Sequence, residues 1–308
     1  MTRFAIVTVI HDSVQELERL LDSLELLPEW PQVVVVDSGS SDTGAALAAG
    51  RGAEVVDLGE NRGFGAGCNA GLELVEAPVT ALVNPDVELL DAGLARLADE
   101  AADRDALLAP RLLSRDGSVQ DSAHPRPGTL EALVPALLPR TLLPPPLRRR
   151  YEPWRSDRPR AVGWAVGACL VARTELLRRL GPFDPDAFLF YEDMELCLRA
   201  RRAGAPTLLR PAVALRHRGG ASVEPALGER DLALRARRRR EVVAQEGRVS
   251  LALDDLSEAA TFATRAAARR LTGRGGELES ARLRALVEAR RAARPSGGAP
   301  PAPGRFRR

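Results

Sequence analysis

Val33-Val34-Val35-Val36-Asp37-Ser38-Gly39-Ser40-Ser41-Asp42 is a run of four valines leading into a turn of acids, hydroxyls and glycine. A short apolar run without polar alternation predicts a strand buried on both faces, the habit of a parallel sheet covered by helices. Upstream, residues 4–10 predict a first strand. Residues 13–27 then place Val14, Leu17, Leu20, Leu21 and Leu24 at helical spacing before Pro28. Downstream, residues 43–50 predict a short helix, 54–58 a third strand, 66–76 a helix, and 79–83 a fourth strand ending at Asn84-Pro85-Asp86. This βαβαβαβ order predicts an α/β fold whose mostly parallel sheet is flanked by helices. Ligands of such sheets sit beyond the carboxyl ends of the strands. Polar clusters fall there: Thr8, His11 and Asp12, then residues 37–42, then 84–86.

The chain changes character at 116–160, which is rich in Pro and Arg and includes Pro144-Pro145-Pro146 and Arg148-Arg149-Arg150. A long loop with a short helix near 130–138 is expected. Order returns at 161–172, with helices at 174–180 and 192–203, the latter capped by Gly204, and a strand at 212–215. Three segments follow: a body at 1–225, an Arg/Ala-rich helical extension at 226–294, and a disordered tail at 295–308.

At 308 residues the chain is long enough to bury a sizeable core. Its 44 basic residues are all arginines, which excludes a Schiff-base lysine or a P-loop lysine. Against 42 acids they leave a net charge of +2, which argues against a globally basic nucleic-acid binder. The balance is uneven. Residues 1–225 carry 25 Arg and 32 acids, a net −7, and residues 226–308 carry 19 Arg and 10 acids, a net +9. The run of four at 237–240 reads either as a solvated helix face or as a surface for anionic lipid headgroups. The tail has only Phe262 and Phe306 as aromatics, which disfavours single-stranded nucleic acid. Cys68, Cys169 and Cys197 are far apart and read as small buried side chains in a reducing cytosol, with neither a disulfide framework nor a zinc site. The apolar run at 4–10 is too short for a signal peptide, and the one at 161–172 falls short of the roughly 20 residues a spanning helix needs. A cytoplasmic protein is expected, with peripheral contact at the cytoplasmic face of the inner membrane.

Several stretches carry chemistry. The 37–42 turn suits a ribose or a base, although Asp37 equally suits a turn. Asp86, fixed by a rigid proline at a strand end, can hold a hard cation between two phosphates, or simply begin a turn. Gly65-x-Gly67-x-x-Ala70 spells a dinucleotide fingerprint, but it starts about seven residues past its strand, too far for the tight turn that motif requires. Glu192, Asp193 and Glu195 open a helix behind the aromatic run at 188–191. They either complement its dipole or supply a general base, since adjacent carboxylates raise one another's pKa. His217, ahead of Gly219-Gly220, suits a metal or phosphate contact.

Taken in order, these motifs resemble a family 2 glycosyltransferase of the GT-A fold, in its rhamnosyltransferase-like bacterial branch. The resemblance rests on Asp37-Ser-Gly-Ser-Ser-Asp42, Asn61-x-Gly63-Phe64 with Asn69-x-Gly71, Asn84-Pro85-Asp86, Gly167-Ala168-Cys169, Gly181-x-Phe183-Asp184, Phe190-x-Glu192-Asp193-x-Glu195 and His217-x-Gly219-Gly220. It covers about residues 1–225 and implies a Rossmann-like catalytic domain there. It also implies inverting, metal-dependent transfer of a sugar from a nucleotide-sugar donor, with L-rhamnose from dTDP-rhamnose as the first choice. The implied acceptor is a hydroxyl of a glycan or polyprenyl-linked saccharide in cell-envelope synthesis. By position, Thr8, Asp37, Asn61, Gly63, Asn69 and Asn84 would serve the donor, and Asp86 and His217 would hold Mg2+ or Mn2+. Asp193 would be the base, with Glu192 beside it. Ile10-His11 stands where the family usually has Tyr-Asn, and Cys68 where it often has Arg or Asn. A UDP-hexose enzyme of the same fold is the alternative. A non-catalytic sugar-nucleotide binder and an NAD(P)-dependent oxidoreductase rank lower.

Overall fold

The valine run becomes β2 (Gln32–Asp37), and every residue of it after Gln32 is buried. β1 (Ala5–Ile10) lies parallel between β2 and β4 (Val79–Val83), and β3 (Glu54–Asp57) flanks β2. In this computed structural model residues 3–137, 151–181, 183–184, 189–219, 229–273 and 275–292 are described. Ile10 pairs in register with Asp37, and Asp37 with Asp57, so the three strands end together and open on one edge.

Alternation along β1 sorts its side chains between two layers. Ile6 and Ile10 face a core shared with Leu17, Leu20 and Leu21 of α1 (Val14–Ser23). Val7 and Val9 face the opposite core, with Val34, Val36 and Cys68. α2 (Gly44–Gly50) and α3 (Gly63–Leu74) complete this half. α3 starts at Gly63, three residues earlier than the periodicity predicts. Its glycines form a packing seam: a Cβ on Gly67 would stand 2.6 Å from Val9, and one on Gly71 2.5 Å from Val7. The fingerprint-like spelling therefore serves close approach of helix to sheet, as its distance from the strand suggests.

Beyond β4 the sheet is mixed. β10 (Cys169–Arg173) runs antiparallel to β4 and to β6 (Leu107–Leu113). β11 (Thr207–His217) returns parallel to β6, and β5 (Val87–Leu89) and β8 (Arg160–Val162) lie antiparallel along its far side. β11 is 11 residues long, where the apolar signal marks only 212–215. Its buried positions alternate with partly or fully exposed ones, and a bulge between Arg210 and Ala214 accommodates Pro211. β7 (Ala123–His124) pairs with β9 (Trp164–Ala165), and α4 (Gly93–Ala102), α5 (Leu130–Leu137) and α6 (Thr174–Leu180) fill the connections. The predicted features at 144–146, 148–150 and 295–308, with Phe188 and Gly220, lie outside the described residues.

The C-terminal helices α8 (Glu229–Ala244), α9 (Arg248–Leu271) and α10 (Glu277–Ala292) pack onto the body. Val242 and Val243 of α8 form one apolar cluster with Met194 and Leu198 of α7 (Glu192–Arg202). The four-arginine run is ion-paired inside the chain. Arg237 meets Glu241 at 3.6 Å, Arg238 meets Asp184 at 2.8 Å, Arg239 meets Asp254 at 2.8 Å, and Arg240 meets Asp255. Arg238, Arg239 and Arg240 thus tie α8 to other parts of the chain, while Arg237 pairs within α8 and stays exposed.

Candidate active site

The aligned strand ends and the first turn of α7 enclose a cleft of about 490 Å³, within the range of small-molecule sites. Asn61, Gly63, Asn84, Asp86, Glu192, Asp193 and His217 all line it. The sequence separates these residues by more than 150 positions; the register of β4, β10 and β11 brings them together.

Asp86 and His217 form one wall. Main-chain bonding fixes their approach: the Arg218 N–H donates to the Asp86 carbonyl at 3.0 Å, and the Gly219 N–H to Asp86 Oδ2 at 3.2 Å. His217 Nδ1 lies 2.8 Å from Gln120 Oε1, while Gln120 Nε2 donates to the His217 carbonyl at 2.7 Å. A carbonyl can only accept, so the amide orientation is set, and Nδ1 carries a proton. Nε2 then faces Asp86 Oδ1 at 3.4 Å, with its lone pair when the ring is neutral. That oxygen is buried and has no hydrogen-bond partner among the described residues. A buried, unpartnered carboxylate oxygen facing an imidazole nitrogen fits a cation between them. No group of three or more candidate ligands occurs among the described residues. A metal here would complete its shell with substrate phosphates and water, the usual habit of Mg2+.

The second wall carries the acid pair. Gly167 N–H donates to Asp193 Oδ2 at 2.9 Å, and Met194 N–H to Oδ1 at 2.7 Å. Gly167 is tight here, since a Cβ on it would lie 3.0 Å from the Asp193 Cβ. Burial raises the Asp193 pKa, opposed by these two N–H donors. Glu192 is pushed up to about 7, first by burial and then by the neighbouring Asp193 charge. Its Oε2 is buried without a partner among the described residues. The pair thus holds a proton near neutral pH, as the spacing suggests.

The turn before α7 is strained. Phe190 and Tyr191 have φ of 77° and 64°, a region bulky side chains rarely enter. Two arginines one helical turn apart on α8 cover them. Arg235 lies 4.8 Å from the Phe190 ring centroid, and Arg239 5.6 Å from that of Tyr191.

Three expected donor residues stand outside the cleft. Thr8 is fully buried, because strand alternation places it between Ile6 and Ile10 on the face covered by α1. Asp37 is buried at the end of β2, and its Oδ1 accepts the Ser40 N–H at 2.8 Å in its own turn. Asn69 has both amide ends committed to the Phe183 main chain, at 2.9 and 2.7 Å. In their place the cleft presents Ser38, Glu16 and His11. His11 Nδ1 donates to the Ser38 carbonyl at 2.9 Å, which leaves Nε2 as an acceptor. Asn61 Oδ1 accepts the Gly63 N–H at 3.1 Å, and Ser38 Oγ accepts the Arg62 N–H at 2.9 Å.

Comparison with known proteins gives a consistent picture. The profile of the family described as Glycosyl transferase family 2 matches residues 5–169, and that of Glycosyltransferase like family 2 matches residues 147–266. An N-acetylglucosaminyl-diphospho-decaprenol L-rhamnosyltransferase of Mycobacterium tuberculosis is 32% identical over 234 residues, covering 69% of this chain and 75% of its own. The low-salt glycan biosynthesis hexosyltransferase Agl10 of Haloferax volcanii is 26% identical over 207 residues, covering 64% of this chain and 61% of its own. Among solved structures, the mannosyltransferase PcManGT of Pyrobaculum calidifontis, in complex with GDP-Man and Mn2+, superposes with a TM-score of 0.55. It is 16% identical and covers 97% of this chain and 76% of its own. The S. aureus protein TarS, residues 1–349, gives a TM-score of 0.52 at 15% identity, covering 84% and 69%. The last two are likenesses of fold.

Proposed function

Since the chain belongs to glycosyl transferase family 2 and has the GT-A fold, we propose that this glycosyltransferase moves a sugar, with inversion, from a nucleotide-sugar to a hydroxyl of a polyprenyl-diphosphate-linked saccharide. L-rhamnose from dTDP-rhamnose is the preferred donor, in line with the rhamnosyltransferase relative. The observation that carries the reading is the pairing, across one cleft, of an N–H-anchored carboxylate, Asp193, with the cation-ready Asp86–His217 wall.

Asp193 accepts the proton of the acceptor hydroxyl. The hydroxyl oxygen forms its bond to the anomeric carbon as the bond to the nucleoside diphosphate breaks on the opposite face. The Gly167 and Met194 N–H groups hold the carboxylate in one orientation through this transfer. Glu192, its pKa pushed up to about 7, is partly protonated at neutral pH, which lessens the second negative charge beside Asp193. Asp86 and His217 would hold Mg2+ or Mn2+, which would offset charge growing on the leaving diphosphate. Asn61, Gly63, Ser38 and His11 border the space left for the nucleoside, and Asn84 lies beside Asp86.

A hexose donor is the second reading, supported by the hexosyltransferase relative. Release of nucleoside diphosphate from dTDP-rhamnose and from UDP-glucose, each with a short-chain lipid-linked acceptor and Mn2+, separates the two. Turnover with neither, across a panel of nucleotide-sugars, refutes the donor assignment.

Among the described residues no helix is long and apolar enough to cross a membrane. We place the enzyme in the cytoplasm, at the cytoplasmic membrane surface, through its lipid-linked acceptor. The internally paired 237–240 arginines do not carry that contact.

A further inference from the structure

A second cavity, of about 560 Å³, lies between the sheet domain and the C-terminal helices. Val166 lines both cavities, and Tyr191, which borders the second, directly precedes the Glu192–Asp193 pair of the first. The two spaces therefore adjoin at the acid pair. Part of the second wall is aromatic: His124 stacks on Trp164 with centroids 4.2 Å apart, and Trp154 lies 5.9 Å from His124. Helices α5, α9 and α10 add apolar lining through Ala132, Ala136, Phe262 and Leu286.

The charges of this cavity do not cancel. Arg239 is held by Asp254, and Arg240 by Asp255. Arg235 and Arg282 also line it; among the described residues neither has a carboxylate within 4 Å, and their counter-charges, Asp193 for Arg235 and the cavity-lining Glu258 for Arg282, act at longer range. A partly buried guanidinium outside any direct ion pair keeps its planar fork available to phosphate oxygens. Aromatic faces, two cations outside direct ion pairs and an apolar stretch in one cavity are complementary to an amphiphile with an anionic linkage.

We propose that this cavity is the acceptor site, and that it takes a saccharide joined through a diphosphate to an apolar chain. Arg235 and Arg282 hold the diphosphate, the Trp164–His124–Trp154 wall meets the sugar, and the α5, α9 and α10 side chains meet the start of the chain. The proposal deepens the transferase reading and rests on it for the identity of the saccharide. The anion and chain contacts can be measured without any transfer.

Decyl diphosphate carries the anion and a chain without the sugar. Its binding to the full chain, below its micelle concentration, is read by tryptophan fluorescence, since Trp154 and Trp164 are two of the three tryptophans and both line the cavity. Saturable binding is expected. It should weaken about tenfold or more in Arg282→Gln and in Arg235→Gln, and stay at the parent value in Arg284→Gln, an exposed site on the same helix. Thermal unfolding of each variant at the parent temperature confirms that it folds. No saturable binding by the parent protein, or equal affinities for R282Q and R284Q, overturns the proposal. Inorganic diphosphate binding as tightly as decyl diphosphate overturns its apolar part. None of these outcomes depends on donor turnover, so failure here is distinct from failure of the transferase reading.

Discussion

The Arg239 guanidinium lies 5.6 Å from the ring centroid of Tyr191 while its nitrogens grip Asp254 through two hydrogen bonds of 2.8 Å. One side chain thus joins the left-handed turn before α7 to the C-terminal helices. Replacing it with methionine leaves Asp254 buried and unpaired beside Glu258. Arg239→Met is expected to lose about 3–5 kcal/mol of stability, measured by denaturant unfolding. The double variant Arg239→Met with Asp254→Leu should recover most of that loss. A single variant as stable as the parent would show that the pair does not hold the extension in place.

Gln120 acts on the metal wall through His217. Its carbonyl oxygen fixes the imidazole proton on Nδ1 and turns Nε2 toward Asp86. Gln120→Leu removes that constraint. Titration of Mn2+ in the presence of dTDP should show affinity reduced about 10–100-fold. Unchanged affinity would mean that His217 is not a ligand.

Glu192 gives the fold a pH signature. Its pKa rises from 4.5 to about 7 on folding, so between those values the folded chain keeps a proton that the unfolded chain releases. The stabilisation is whole below the lower value and is lost as pH rises through the upper one. Stability should fall across this window in the parent and fall less in Glu192→Gln. Parallel stability–pH curves for the two proteins would contradict the shift.

The glycine seam of α3 predicts a packing defect. A Cβ at Gly71 would lie 2.5 Å from Val7, so Gly71→Ala should cost about 1–3 kcal/mol or more. Calorimetric unfolding measures it. A neutral substitution would return the glycines to a ligand-binding role.

The parallel half of the fold was legible because its strands are continuous apolar runs that need no partner to be recognised. β11 was read at less than half its length, since Arg210, Pro211 and Arg216 interrupt the apolar signal while pleating keeps alternate residues buried. The segment from β5 to β6 carried no polar motif and stayed unread, although Leu94, Leu97, Ala98 and Ala101 have helical spacing. At the site, strand-end and helix-start residues converge because topology places those ends together. Thr8, Asp37 and Asn69 are absent from the cleft for reasons a motif does not encode: a strand face, a local turn, and an amide engaged 114 residues away. Gln120 had no sequence signal, because its partner lies 97 positions distant.

In the proposed mechanism Asp193 takes the acceptor proton while Asp86 and His217 serve the donor diphosphate. Asp193→Asn keeps the size of the side chain and removes the base. The direct measurement pairs transfer kcat with donor affinity in that variant. The account predicts a loss of at least about 100-fold in kcat, with donor affinity within a few-fold of the parent. Near-parent turnover in Asp193→Asn would contradict it.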